Sequence, residues 1–191
     1  MEQEAVNGFR LSPQQRRLWV LQQADEGHPY FVQCGALIEG SFDAEALFES
    51  VEKLVERHDI FRTTFNALPG MAYPVQSVSE RHGLRVPVID LRSMDSEAQQ
   101  QALESIFELA GSQEFDLERG PVVSFHDLVL SPTAHLLLIT LPSLCADSAT
   151  LKNVVSEIAG CYEEKLQGQP SQNEPLQYPV ISEWLNGLLE S

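Results

Sequence analysis

The sequence predicts an α/β (α+β) sandwich, a mixed sheet flanked by helices. Three observations carry this. Helix-like and strand-like hydrophobic periodicities alternate along the whole chain. The run Leu136 to Leu141 is almost unbroken in Leu and Ile, as in a strand covered on both faces. A short loop after it, Pro142 to Asp147, feeds a long amphipathic helix. With 191 residues, 43% of them hydrophobic, the chain can bury a core of ordinary domain size.

The elements follow in order. Ser12 and Pro13 suit the cap and first position of a helix running to about Ala24, with Leu18, Trp19 and Leu21 on a partial apolar face and Gln14, Gln15, Arg16 and Arg17 polar. Tyr30 to Ile38 reads as a strand. Asp43 begins a second helix, in which Leu47, Val51, Leu54 and Val55 form a buried stripe and Glu45, Glu49, Glu52 and Glu56 the solvated side. Phe61 to Phe65 alternates as a half-buried strand does, and short strands are expected near Ala72 to Val75 and Arg85 to Ile89. A third helix follows Asp95, turns Leu103, Ile106, Phe107 and Ala110 inward, and ends at Gly111. Val122 to Leu130 and His135 to Leu141 form a hairpin. The helix after Asp147 carries Leu151, Val154, Val155, Ile158 and Tyr162 on one face. A polar segment follows, and Tyr178 to Leu189 form a last helix whose Trp184, like Trp19, is read as a packing residue.

Composition excludes several functions. Twelve Lys and Arg against 28 Asp and Glu give a charge of -16, which repels nucleic acid and anionic membranes. No apolar stretch approaches the roughly 20 residues that span a bilayer, and the acidic first residues lack a secretory pattern, so the chain is read as cytoplasmic. Cys34, Cys145 and Cys161 form no CxxC pair and are read as free thiols. Phosphate loops, HExxH and GxSxG are absent.

Four segments carry a resemblance. Ser12 to Trp19 (Ser-Pro-Gln-Gln-Arg-Arg-Leu-Trp) resembles the first core motif of the condensation domains of non-ribosomal peptide synthetases. Arg57 to Phe65 (Arg-His-Asp-Ile-Phe-Arg-Thr-Thr-Phe) resembles their RHxxxRTxF pattern, and Phe115 to Pro121 resembles the segment that precedes the strands leading to their active-site loop. Tyr178 to Trp184 is similar to a fourth motif, with Val180 where that motif has an acid. The resemblance implies a chloramphenicol acetyltransferase-like single lobe: residues 1–167 the lobe, 168–177 a polar linker, and 178–191 a helix leading toward an absent second lobe or a next domain.

It also locates the family's HHxxxDG motif on Pro142-Ser143-Leu144-Cys145-Ala146-Asp147-Ser148. Pro142 and Ser143 replace both histidines, Ser148 the glycine, and Asp147 remains. The resemblance implies a structural pair between Asp147 and Arg62, one that would cost about 3–5 kcal/mol to break from one side if buried. Asp147 is also read as the cap of the following helix. Ser143 is no base near neutral pH, and Pro142 lacks even an N–H, so the loop is not expected to catalyse alone. Ser143 as a nucleophile would need a base and an oxyanion hole; Cys145 would need its thiol activated at the helix start, against an apolar flank that favours an inert thiol. His126, Asp127 and His135 fit no strong metal spacing, and His58 is read as structural.

Two functions stay open. The first is a degenerate condensation-like lobe acting as a docking or recruitment platform for adenylation or peptidyl carrier domains or for a trans-acting tailoring enzyme. The second is half of an acyltransferase that forms amide bonds between carrier-bound substrates and needs a second lobe. No cofactor is expected to bind directly; the phosphopantetheine arm of a partner carrier domain is the one group the resemblance brings to the site.

Overall fold

Helices begin where a short polar side chain takes up the free N–H groups of a first turn. In the computed structural model, which describes residues 8–25, 30–80, 83–167 and 174–190, the first three helices start this way. Ser12 caps α1 (Pro13–Ala24) in a reciprocal box with Gln15. Asp43 caps α2 (Ala44–Arg57) and Asp95 caps α3 (Ser96–Ser112). The remaining helices are α4 (Ser148–Gln167) and α5 (Tyr178–Glu190).

The strands form two sheets. In the smaller, β1 (Phe9–Arg10), β4 (Val75–Val78) and β3 (Thr63–Asn66) lie in that order, all antiparallel. The larger is mixed, in the order β2 (Phe31–Glu39), β7 (Ala134–Pro142), β6 (Ser124–Ser131) and β5 (Val88–Asp90), with only β5 parallel to its neighbour.

Strand β7 is interior and buried on both faces, as its unbroken apolar run predicts. Alternate side chains serve two cores. Leu137, Ile139 and Leu141 join Phe125 and the stripes of α2 and α4 in the main core. Leu136 and Leu138 join Leu128 under α3, where Leu103, Ile106, Phe107 and Ala110 point inward as expected. On α2, Val51, Leu54 and Val55 are fully buried, so the stripe read from spacing is the one the fold covers.

Several expectations are corrected. The first half of the strand expected over Phe61 to Phe65 is a 3-10 turn, Asp59–Arg62. Thr63 Oγ1 donates to the Asp59 carbonyl at 2.8 Å and Arg62 reaches the Asp59 carboxylate at 2.7 Å, which closes the turn. The burial alternation at Phe61, Thr63 and Phe65 survives it. The strand expected near Ala72 to Val75 begins where it was expected to end, at Val75, and the one expected at Arg85 is confined to Val88–Asp90. Pro87 has no N–H to donate to a ladder, though its carbonyl accepts from Asp127 N–H. Gly111 lies inside α3 rather than capping it: a Cβ there would sit 2.6 Å from the Phe31 ring, so its smallness serves close helix–sheet approach.

Two faces are also reassigned. The buried residue of α1 is Gln15, while Leu21 is exposed. In α5, Pro179, Ser182 and Asn186 face the protein, and Val180, Trp184 and Leu188 face solvent. Trp19 packs against the core as read; Trp184, 63% exposed, does not. Within the expected linker, residues 168–173 lie outside the described residues, while Gln177 is anchored between the Arg57 carbonyl and the Asp59 N–H. No helix among the described residues is long and apolar enough to cross a membrane.

Candidate functional site

The loop from Pro142 to Asp147 runs off the end of the central strand β7 and turns into α4. Its backbone is held at three points. Ser143 N–H donates to the Tyr30 carbonyl at 2.8 Å, and Cys145 N–H closes a turn on the Pro142 carbonyl at 2.8 Å. The third tie comes from α1: Gln15 Nε2 donates to the Leu144 carbonyl at 3.0 Å.

Gln15 belongs to a buried polar network. Its Nε2 also donates to Gln76 Oε1, and its Oε1 accepts from Ser12 N–H. Gln76 in turn donates to the Arg10 carbonyl and Ser182 Oγ, while Ser12 Oγ meets the Tyr178 hydroxyl at 2.9 Å. Gln15, Gln76 and Ser182 are each at most 2% exposed. Sequence reasoning placed Gln15 only with the polar residues of α1; the signal it passed over is the Ser-x-x-Gln spacing of a capping box, Ser12 to Gln15.

Beside the loop, a groove of about 470 Å³ opens between α1 and the start of α4. Arg17 and Asp147 are its charged residues, Leu18, Leu21 and Leu144 part of its apolar surface, and Ser143, Thr150 and Tyr178 its hydroxyls. No histidine lines it among the described residues. No described side chain hydrogen-bonds to the Ser143 hydroxyl, so the base that a nucleophilic serine requires is not in place. Cys145 is buried, and that burial pushes its thiol far above the ordinary range, which keeps it in the unreactive form. Cys161 is buried and Cys34 half-buried; all three thiols are free.

Asp147 and Arg62 do not pair. Asp147 Oδ1 accepts from both N–H and Oγ1 of Thr150, each at 2.8 Å, as the cap of α4. Arg62 sits at the other kind of helix end. Its guanidinium donates to the carbonyls of Val55 and Glu56 in the last turn of α2, to the carbonyl of Ser79, and to the Asp59 carboxylate. Free carbonyls and the negative end of a helix dipole attract a cation, and free N–H groups attract an anion, so each residue is held locally. Ser148, the last of the motif positions, is the exposed first residue of α4.

Two of the described histidines, His58 and His135, each meet a carboxylate. Glu157 on α4 receives Arg57 Nη1 at 2.9 Å and lies 2.8 Å from His58 Nε2. His135 Nδ1 lies 2.9 Å from the buried Asp127 carboxylate on the α2–α4 side of the sheet. His126, one residue from Asp127, lies on the opposite face, so these three do not converge on a metal.

The hydrogen bonds from Thr150, followed by weaker help from Ala149 N–H, hold the Asp147 carboxyl below its ordinary range. A depressed folded-state value means the ionised cap stabilises the fold above the unfolded carboxylate range and is lost as pH falls through the folded value. Asp147→Ala is therefore expected to cost about 1 kcal/mol at neutral pH, with the difference from the parent shrinking below about pH 4. Urea titrations at both pH values check this.

Comparison with known proteins gives the same architecture. The chain is 33% identical over 177 residues to chondramide synthase cmdD of Chondromyces crocatus, covering 91% of this chain and 4% of that protein. It is 29% identical over 184 residues to tyrocidine synthase 3 of Brevibacillus parabrevis, covering 96% and 3%. The starter condensation domain of rhizomide synthetase superposes with a TM-score of 0.83 at 18% identity, over 97% of this chain and 46% of that one. The complex of the X-domain and OxyB from teicoplanin biosynthesis gives 0.81 at 22%, over 99% and 40%. At these identities the two structural likenesses are of fold, and this chain spans less than half of each solved chain. The condensation-domain model matches residues 7–191, and on that match the chain belongs to the condensation-domain family.

Proposed function

We propose that this lobe is a degenerate condensation domain that docks a neighbouring adenylation or peptidyl carrier domain, or a trans-acting tailoring enzyme, and does not catalyse alone. The carrying observation is the inverted amphipathicity of α5. Its polar Ser182, Glu183 and Asn186 bond inward, Ser182 to the Arg10 carbonyl, Glu183 to the Arg10 side chain, and Asn186 to Arg16 and the Leu11 carbonyl. Its apolar Val180, Trp184 and Leu188 are 51%, 63% and 53% exposed. An apolar stripe on the solvent side of a helix is the mark of an interaction surface.

The loop supports the same reading. Condensation domains are acyltransferases, yet among the described residues no histidine lines the groove and no side chain bonds the Ser143 hydroxyl, while Tyr30, Gln15 and Thr150 hold the loop around it. The teicoplanin X-domain, of similar fold, was solved together with OxyB, an example of this architecture holding a second protein.

Calorimetric titration with the adenylation, carrier and tailoring proteins of the same assembly line tests it. Binding of at least one is expected, and Trp184→Ser should weaken it at least about tenfold, as for an aromatic anchor worth roughly 2 kcal/mol. The stability of that variant should stay within about 0.5 kcal/mol of the parent, because the ring is exposed. Failure with every partner overturns the proposal.

The second reading, half of an acyltransferase, is favoured by one observation: a groove of about 470 Å³ opens beside Ser143 at the end of the central strand. There, the groove beside Ser143 would receive the phosphopantetheine arm of a carrier, and catalysis would rest on positioning. Amide formation from carrier-loaded substrates, with a second lobe supplied, would establish it and overturn the platform reading. Absence of product in the parent and in Ser143→Ala would dispose of it.

A further inference from the structure

A second cavity, which shares no residue with the groove beside Ser143, lies between the edge strand β2 and helix α4. Its floor is Leu47, Leu137 and Ile158, each at most 4% exposed. Its aromatic wall is Phe42 and Tyr162, stacked at 6.4 Å between centroids with planes 14° apart. Tyr162 is held in place because its hydroxyl oxygen accepts from Asp43 N–H at 2.9 Å. The space exists because the two smallest side chains lining it, Ala36 on β2 and Ala159 on α4, leave it unfilled. One charged group lines it, the exposed carboxylate of Glu163.

Size and charge together select a ligand. The cavity measures about 210 Å³, and an apolar cavity of about 150 Å³ in another protein holds benzene. A six-carbon chain or a ring with a short arm therefore fits, and anything of drug size does not. A carboxylate at the rim of an apolar, aromatic-walled cavity favours a cationic head over a neutral one and repels an anion. We propose that this cavity binds small hydrophobic primary amines, the hydrocarbon against Leu137 and Ile158 and the ammonium at Glu163.

Hexylamine, hexanol and hexanoate, titrated separately and followed by amide chemical shifts, test the proposal on the whole chain. The expected order is hexylamine tighter than hexanol, and hexanol tighter than hexanoate, with shifts centred on β2 and α4. Glu163→Gln should bring hexylamine to within error of hexanol, a loss of about two- to fivefold, the size of an exposed ion pair. Ala159→Phe, on the solvent side of α4, should block binding of both, and Ala36→Ile should do so from the sheet side. Shifts that spread over the acidic surface and survive Ala159→Phe would show that the net charge alone attracts the amine, and would overturn the site. Equal affinity for all three probes would overturn the role of Glu163, and no binding by any probe would overturn the cavity itself.

Discussion

Gln15→Leu is expected to lower stability by about 3 kcal/mol or more, although it replaces a polar helix residue with an apolar one of similar size. The substitution leaves three buried groups without partners: the Ser12 N–H, Gln76 Oε1 and the Leu144 carbonyl. Each orphaned group costs about 1–3 kcal/mol. For a chain of this size, every kcal/mol lowers Tm by roughly 2–4 °C, so a fall of at least about 6 °C is expected. Gln15→Glu separates shape from hydrogen bonding. The carboxylate can still accept from Ser12 N–H, but it cannot donate to Gln76 or Leu144, so it should be about as damaging at neutral pH and recover partly in acid, where its proton restores one donor. Amide exchange at Leu144 to Ala146 should quicken in both variants, because their anchor to α1 is gone. A Gln15→Leu protein within about 0.5 kcal/mol of the parent would show that the network does not hold the loop.

Gln15 also shows where the sequence stops being readable. Helix limits were legible, because Asp43 and Asp95 are caps and the stripe Leu47, Val51, Leu54, Val55 repeats at helical spacing. The placement of β7 was legible from its unbroken hydrophobicity. Hydropathy assigns a glutamine to solvent, however, and only tertiary packing decides that this one is 2% exposed. The reverse holds for Trp184: periodicity shows which residues of α5 share a face, but not which face is covered. Short strands moved because their limits depend on partners. Arg62 and Thr63 tie back to Asp59 and turn the front of an alternating segment into a 3-10 turn. The Arg62–Asp147 pair, implied by resemblance, failed for a local reason, since each residue already serves a nearby helix end.

The RHxxxR segment then has a consistent physical role in this chain. Arg57 and His58 hold Glu157 of α4, Arg62 holds the end of α2 to Ser79, and the backbone of Arg57 and Asp59 holds Gln177 ahead of α5. One turn therefore fixes the helix that follows the loop and the helix that carries the exposed stripe. Groove and stripe are parts of one braced body, the rigidity that the proposed docking role calls for.

The other large effect is expected at His135. The Asp127 side chain is 5% exposed and its partner His135 13%, and the Phe42 ring covers the imidazole at 4.0 Å between centroids. His135→Leu would leave a buried carboxylate with no cationic or donating side chain, which is expected to cost about 3–5 kcal/mol. Asp127→Leu removes the carboxylate instead and should cost less. In the double variant, His135→Leu with Asp127→Leu, two apolar groups fill the same space beside Leu137, and much of the loss should return. Urea midpoints for all four proteins give the coupling energy directly. A single His135→Leu variant as stable as the parent would mean that water or backbone rather than His135 satisfies the Asp127 carboxylate.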